Sequence, residues 1–176
     1  QLERANYEHK MVRVLNESLS TTLDTIEKIS SGKIGSDTSS MGRPQLISKW
    51  VDYSNKHGFA YQLSTGSIGV LFKEGHTVLK SRDTNDVYYI HPDSESGWNS
   101  EHFTINEIPR SLQNEMHVVD FFERYMTQHL CDVHSGGSNN VNGEIFLRRY
   151  HRSDNGVLFE LSNGSYQFNF KDHHKI

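Results

Sequence analysis

The sequence predicts an α+β fold in which one antiparallel-sheet module occurs twice. Three observations carry this. Short β-rich runs separated by tight-turn residues fill the chain from Ile47 to Asn106. A helical period then takes over from Asn114 to Leu130. Finally, residues 58–78 align without a gap on residues 156–176 at an offset of 98, with eight identities in 21. Self-similarity over that length marks a duplicated structural unit.

The elements follow in order. Met11, Leu15, Leu19, Leu23 and Ile26 recur at steps of three or four, so residues 2–29 read as one amphipathic helix. The Gly/Ser-rich stretch 30–44 closes on Pro44 and reads as a linker. Six strands are expected next: ISKWVDYS, GFAYQLS, SIGVLFK, HTVLKS, DVYYIHP and EHFTIN. The breaks between them (NKHG, STG, KEG, SRDTN, PDSESG) suit an antiparallel meander. A helix over 114–130 presents Val118, Val119, Phe122, Tyr125, Met126 and Leu130 on one face, with Asn114 as the expected N-cap. A second linker, 134–143, leads to EIFLRRYH, GVLFELS and SYQFNF, with Asn163-Gly164 at a two-residue hairpin turn. The domains are thus 1–46 for helix and linker, 47–133 for the first module and 134–143 for the linker. Residues 144–176 are the start of a second module, expected to break off after three strands. The sheet would there be left with an open edge.

Composition narrows the function. Among 176 residues there is one cysteine, Cys131, so no internal disulfide framework exists. A net charge of -4 disfavours a broad nucleic-acid surface. Mean hydropathy is -0.68 and no apolar run approaches the roughly 18 residues of a membrane span. The first ten residues lack the apolar core of a signal sequence. Cys131 and His134 form a lone C-x-x-H without a second ligand pair, which argues against a metal site. Asn16 and Asn163 each begin a glycosylation sequon, read here as a helix position and a hairpin turn. No phosphate-binding glycine loop, nucleophile elbow, H-E-x-x-H or kinase signature is present.

The two copies differ where recognition chemistry would sit. Copy one has Gly75-His76-Thr77 where copy two has His173-His174-Lys175. On a strand, His173 and Lys175 would share one face and His174 the other. Two donors about 7 Å apart suit a tetrahedral dianion, while the alternative is a solvated basic strand end beside Asp172. In KWVDY, Trp50 and Asp52 share a face and Val51 and Tyr53 take the other. Trp50 is either a core residue or an exposed aromatic shelf with an indole N–H to offer. Arg148, Arg149 and Arg152 form a basic patch, either a solvated face or the border of an anion site.

The stretches KWVDYSNKHGFAYQLS…IGVLF and LSNGSYQFNFKDHHK resemble the polo-box domain of polo-like kinases, in its fungal mitotic form. The resemblance covers nearly the whole chain. It implies a polo-cap helix followed by two polo boxes, each a six-stranded antiparallel sheet with a C-terminal helix, the second truncated here. It implies a phosphoserine/phosphothreonine-peptide binding module, non-catalytic in itself, that targets a mitotic Ser/Thr kinase to primed partners. His173 and Lys175 then correspond to the phosphate pincer, with Arg152 near the phosphate. Trp50, Val51, Asp52, Leu63 and Cys131 fall at peptide-binding positions. Cys131 stands where the family has leucine, and the stretch before the pincer has the length of the fungal form. Expected partners are phosphoproteins carrying serine before the phosphorylated residue, and the kinase domain of the same polypeptide. No cofactor, nucleic acid or membrane is implied, and a monomer is expected. Expected locations are nucleus and cytoplasm, with spindle poles, kinetochores and the division site in mitosis. The runner-up is a phosphate-independent docking scaffold using box one. Acid–base phosphoryl chemistry is disfavoured, since nothing supplies a nucleophile.

Overall fold

The computed structural model describes residues 12, 13, 16 and 20, residues 45–130 except 96, and residues 145–176 except 173. The chain divides into two compact units, Gln1–Gly42 and Arg43–Ile176. In the first, Val12, Arg13, Asn16 and Ser20 are helical. The predicted stripe residues Met11, Leu15, Leu19, Leu23 and Ile26 lie outside the described residues, as does the second linker.

The second unit holds two antiparallel sheets. The first is a six-stranded meander in the order β1 (Ile47–Tyr53), β2 (Gly58–Leu63), β3 (Ile68–Phe72), β4 (Thr77–Lys80), β5 (Asp86–Asp93) and β6 (Gly97–Thr104). A helix, α1 (Gln113–His129), follows. The second sheet has three strands, β7 (Leu147–Ser153), β8 (Gly156–Leu161) and β9 (Tyr166–Phe170). No described helix is long and apolar enough to cross a membrane.

Sheet one is buried on both faces. Ala60, Val70, Phe72, Val78 and Val87 pack on Met116, Val119, Phe122 and Met126 of α1. Phe59, Tyr61, Leu63, Leu79 and Ile90 pack instead on Leu147, Val157, Phe159 and Leu161 of sheet two. Alternation along β2 therefore feeds two cores at once.

A bulge decides which side chains reach each core. Pairing of β1 with β2 slips between Ile47 and Lys49, and that of β7 with β8 slips between Leu147 and Arg149. The extra residue puts Ile47, Trp50 and Asp52 on one face and Lys49, Val51 and Tyr53 on the other. Trp50 accordingly joins the inter-sheet core, while Val51 and Tyr53 border the helix-side core.

The duplication extends into backbone detail. Ser64 N donates to Leu46 O (2.7 Å) and Ser162 N to Phe146 O (2.9 Å). The side-chain hydroxyls of the same serines accept from the same residues, Leu46 N and Phe146 N, each at 3.1 Å. Gly58 and Gly156 open β2 and β8, where an added Cβ would meet Leu71 O at 2.3 Å and Asn169 O at 2.1 Å.

Three boundaries differ from expectation. β6 begins at Gly97, four residues before the predicted run, because Trp98, Asn99 and Ser100 pair with Pro92, His91 and Ile90 across a tight turn. Leu112, not Asn114, occupies the N-cap position of α1, which continues directly from the 3-10 turn Arg110–Leu112. FKDHHKI is not one strand: Phe170 N donates to His174 O (2.9 Å), and Ile176 and Phe168 exchange backbone bonds at 3.0 and 2.8 Å. The chain turns at Lys171-Asp172, and Lys175 pairs with Asn169. Copy one makes the same turn, with Phe72 N donating to His76 O at 2.9 Å.

Candidate functional site

The two sheets pack face to face, with β1 and β7 each at the edge of its own sheet. Trp50 stacks on Phe59 with centroids 5.5 Å apart and meets the edge of Phe159 at 6.2 Å. Phe59 also stacks on Tyr150 of β7 at 4.1 Å. Trp50 is thus both core and shelf: packed against the inter-sheet core, only half-buried, and bordering a groove.

That groove has a volume of about 600 Å³ and runs between β1 and sheet two. Ser48, Lys49 and Trp50 line one wall, and Arg152, Lys171 and Lys175 contribute cations to the other. Lys175 Nζ lies 3.4 Å from Ile47 O and 3.3 Å from Ser48 O. Burial lowers the Lys175 pKa from its ordinary value. Lys175 is otherwise exposed, so its ammonium keeps a donor for an anionic partner.

Lys49 faces the other way. Buried to 6% exposure, its Nζ donates to Leu130 O (3.2 Å) and Met126 O (3.4 Å). It caps the C-terminal carbonyls of α1 and ties the helix end to the strand that carries Trp50.

At the far end of β1, Arg152 Nη1 donates to Asp52 Oδ2 at 2.7 Å. Ser54 donates to Asp52 Oδ1 from its backbone N (3.1 Å) and its hydroxyl (2.6 Å). Burial works to raise the Asp52 carboxyl, but these hydrogen bonds and the guanidinium charge outweigh it, and its pKa lies below the ordinary value. The Arg152 guanidinium also lies 5.8 Å from the Trp50 ring centroid.

The duplication generates a counterpart groove of about 190 Å³ on β7. Arg148 and Arg149 take the places of Ser48 and Lys49 there. This groove holds Thr77 where the first groove holds Lys175. The two grooves share a framework nonetheless. Ile47 N donates to Gln167 Oε1 (2.7 Å), whereas Leu147 N donates to the Tyr61 hydroxyl (3.0 Å). The counterpart of Gln167 is Gly69, over which the Tyr61 ring lies.

Of the predicted site residues, Trp50, Arg152 and Lys175 line one groove, and Asp52 is bound to Arg152 beside it. Leu63 is wholly buried in the inter-sheet core against which Trp50 packs, and Val51 faces the helix side. His173 and Cys131 lie outside the described residues. Lys49 and Gln167 were missed. The Gly69/Gln167 mismatch between copies was the available signal for Gln167. Among the described residues no group of His, Cys, Asp or Glu could hold a metal.

The chain is thus a duplicated antiparallel-sheet module with a cationic groove along one edge strand. The family profile described as POLO box duplicated region matches residues 55–116 and 153–176. The cell cycle serine/threonine-protein kinase CDC5/MSD2 of Saccharomyces cerevisiae is 51% identical over 134 residues, covering 76% of this chain and 19% of its own length. The serine/threonine-protein kinase polo of Drosophila melanogaster is 32% identical over 174 residues, covering 94% of this chain and 29% of its own. The budding yeast Cdc5 polo-box domain in complex with Spc72 phosphopeptide superposes with a TM-score of 0.68 at 46% identity, covering 85% of this chain and 54% of that one. The same yeast domain with the Dbf4 polo-interacting region gives 0.66 at 45% identity, covering 85% of this chain and 59% of that one. The chain belongs to the polo-box family. It spans about a fifth to a third of the curated relatives it matches.

Proposed function

We propose that this chain binds phosphoserine- or phosphothreonine-containing peptides and so targets a serine/threonine kinase to partners already phosphorylated. The carrying observation is Lys175, an exposed cation held against the carbonyls of an edge strand, in the groove that Trp50 borders. The yeast domain's Spc72 phosphopeptide complex supports the same reading. An extended peptide adds to β1 through main-chain bonds while a phosphate replaces the carbonyls at Lys175. His173, two residues earlier in the sequence, is the second pincer member, and Trp50 takes the serine before the phosphorylated residue. Asp52 and Cys131 offer backbone groups. Charge-assisted bonds of this kind favour phosphorylated over plain peptide by roughly 10²–10⁴-fold. The chain itself performs no chemistry. Its wider setting, a kinase domain on the same polypeptide and mitotic sites in nucleus and cytoplasm, belongs to the same proposal.

Fluorescence polarisation with a Ser-pSer peptide and its plain counterpart tests this. The wild type should prefer the phosphopeptide, and His173→Ala with Lys175→Met should erase the preference while the thermal melt is kept. Equal affinities for the two peptides would sink the proposal. A second reading, docking on box one without phosphate, is favoured by the exposed edge strand β6, and by the yeast domain's complex with the Dbf4 polo-interacting region. Partners of that kind would survive the pincer substitution.

A further inference from the structure

We propose that Arg152, seated on Asp52, forms a subsite that selects an acidic side chain about four residues from the phosphorylated one. The inference rests on the phosphopeptide reading.

Position comes first. Lys175 engages the strand at Ile47 and Ser48, and Arg152 engages it at Asp52. At about 3.3 Å per residue, these points are roughly 13 Å apart along β1, or about four residues of a peptide strand paired with it. An even spacing returns a peptide side chain to the face that carries the phosphate. Trp50 lies between the two points, on the same face as Asp52.

The charge presented there is that of the arginine. The Asp52 side chain is 14% exposed and that of Arg152 is 56% exposed. Both Asp52 oxygens are engaged, one accepting from Ser54 and the other from Arg152. The carboxylate holds the guanidinium in place from beneath, and the Trp50 ring flanks it at 5.8 Å. Arginine has five N–H donors in a planar fork, so one bond to Asp52 leaves donors for a peptide carboxylate. Asp52 and Arg152 occupy equivalent places in the two copies, each on the face of its edge strand that meets the other sheet. The subsite therefore exists only where both boxes meet.

The test uses the full chain and phosphopeptides with Glu, Ala or Lys four residues from phosphoserine, placed in turn on either side. Wild type should bind the Glu peptide about three- to tenfold more tightly than the Lys peptide on one of the two sides. Arg152→Gln uncovers Asp52 and should reverse that order. Asp52→Asn with Arg152→Gln should abolish the preference, leaving the Glu, Ala and Lys peptides with equal affinities. The preference should shrink in high salt. The inference fails if wild type shows no Glu/Lys difference on either side, or if Arg152→Gln weakens all three peptides equally, which would make Arg152 a phosphate ligand. Failure of wild type to distinguish the Ala phosphopeptide from its plain form overturns the phosphopeptide reading itself, and the subsite with it.

Discussion

Gln167 of the second sheet presents both halves of its amide to one residue of the first. Its Oε1 accepts from Ile47 N at 2.7 Å and its Nε2 donates to Ile47 O at 2.9 Å. Gln167 is 1% exposed and Ile47 wholly buried. A side chain thus serves as a neighbour strand one residue wide, at the point where β1 would otherwise bury unpaired backbone groups. Gln167→Leu should cost about 2–4 kcal/mol, because two buried backbone groups lose their partners. Urea denaturation should show a lower midpoint with an unchanged slope. A cost below about 0.5 kcal/mol would show that other partners replace the amide.

Gly69 and Tyr61 form the matching device on the other side. A Cβ on Gly69 would sit 2.2 Å from Tyr61 Cζ. Gly69→Ala should therefore destabilise by about 1–3 kcal/mol through overpacking. Tyr61→Phe should cost about 1–3 kcal/mol by orphaning Leu147 N. The two should be strongly non-additive, since displacing the ring already breaks the bond; a double-mutant cycle in denaturant measures this.

Stability should depend on pH through Asp52. Its folded pKa lies below the ordinary 3.8, so the native state favours the ionised form. That contribution is fully present above the unfolded value and is lost as pH falls through the folded one. The stability gap between wild type and Asp52→Asn should be constant from about pH 5 to 7 and narrow below about pH 4. Thermal melts across that range check it; a gap that widened on acidification would contradict the assigned direction.

Phosphopeptide affinity should be bounded on both sides. It should rise as pH passes about 6, where the phosphate becomes a dianion. It should fall at alkaline pH as Lys175 loses its proton, earlier than for an ordinary lysine, because burial lowers its pKa. Lys175→Met should remove that alkaline limb, as titrated by polarisation from pH 5 to 10. An unchanged limb would assign it to another group.

The duplicated meander, the helix after it and the pairing of Trp50 with Asp52 were all legible in the sequence. Periodicity and turn residues are local signals, and a gapless repeat is visible without any structure. The proposed pincer position came from comparing copies, since His173-His174-Lys175 against Gly75-His76-Thr77 is a difference between otherwise matched segments. What escaped was non-local. Strict alternation from Ile47 would place Trp50 on the opposite face; the bulge at Ser48 reverses that, and no residue type announces it. FKDHHKI read as one strand because its residues tolerate extension, but the bond from Phe170 N to His174 O folds it into a turn.

The sequence by itself determined that two copies of one module exist and where their strands run, because hydrophobic period and turn chemistry act between near neighbours. Only the tertiary structure decided what the copies do to each other. Gln167 capping Ile47, Tyr61 capping Leu147 and Arg152 clasping Asp52 join residues 86 to 120 positions apart. Such contacts follow from how two buried sheet faces pack, and that packing leaves no period in the chain to read.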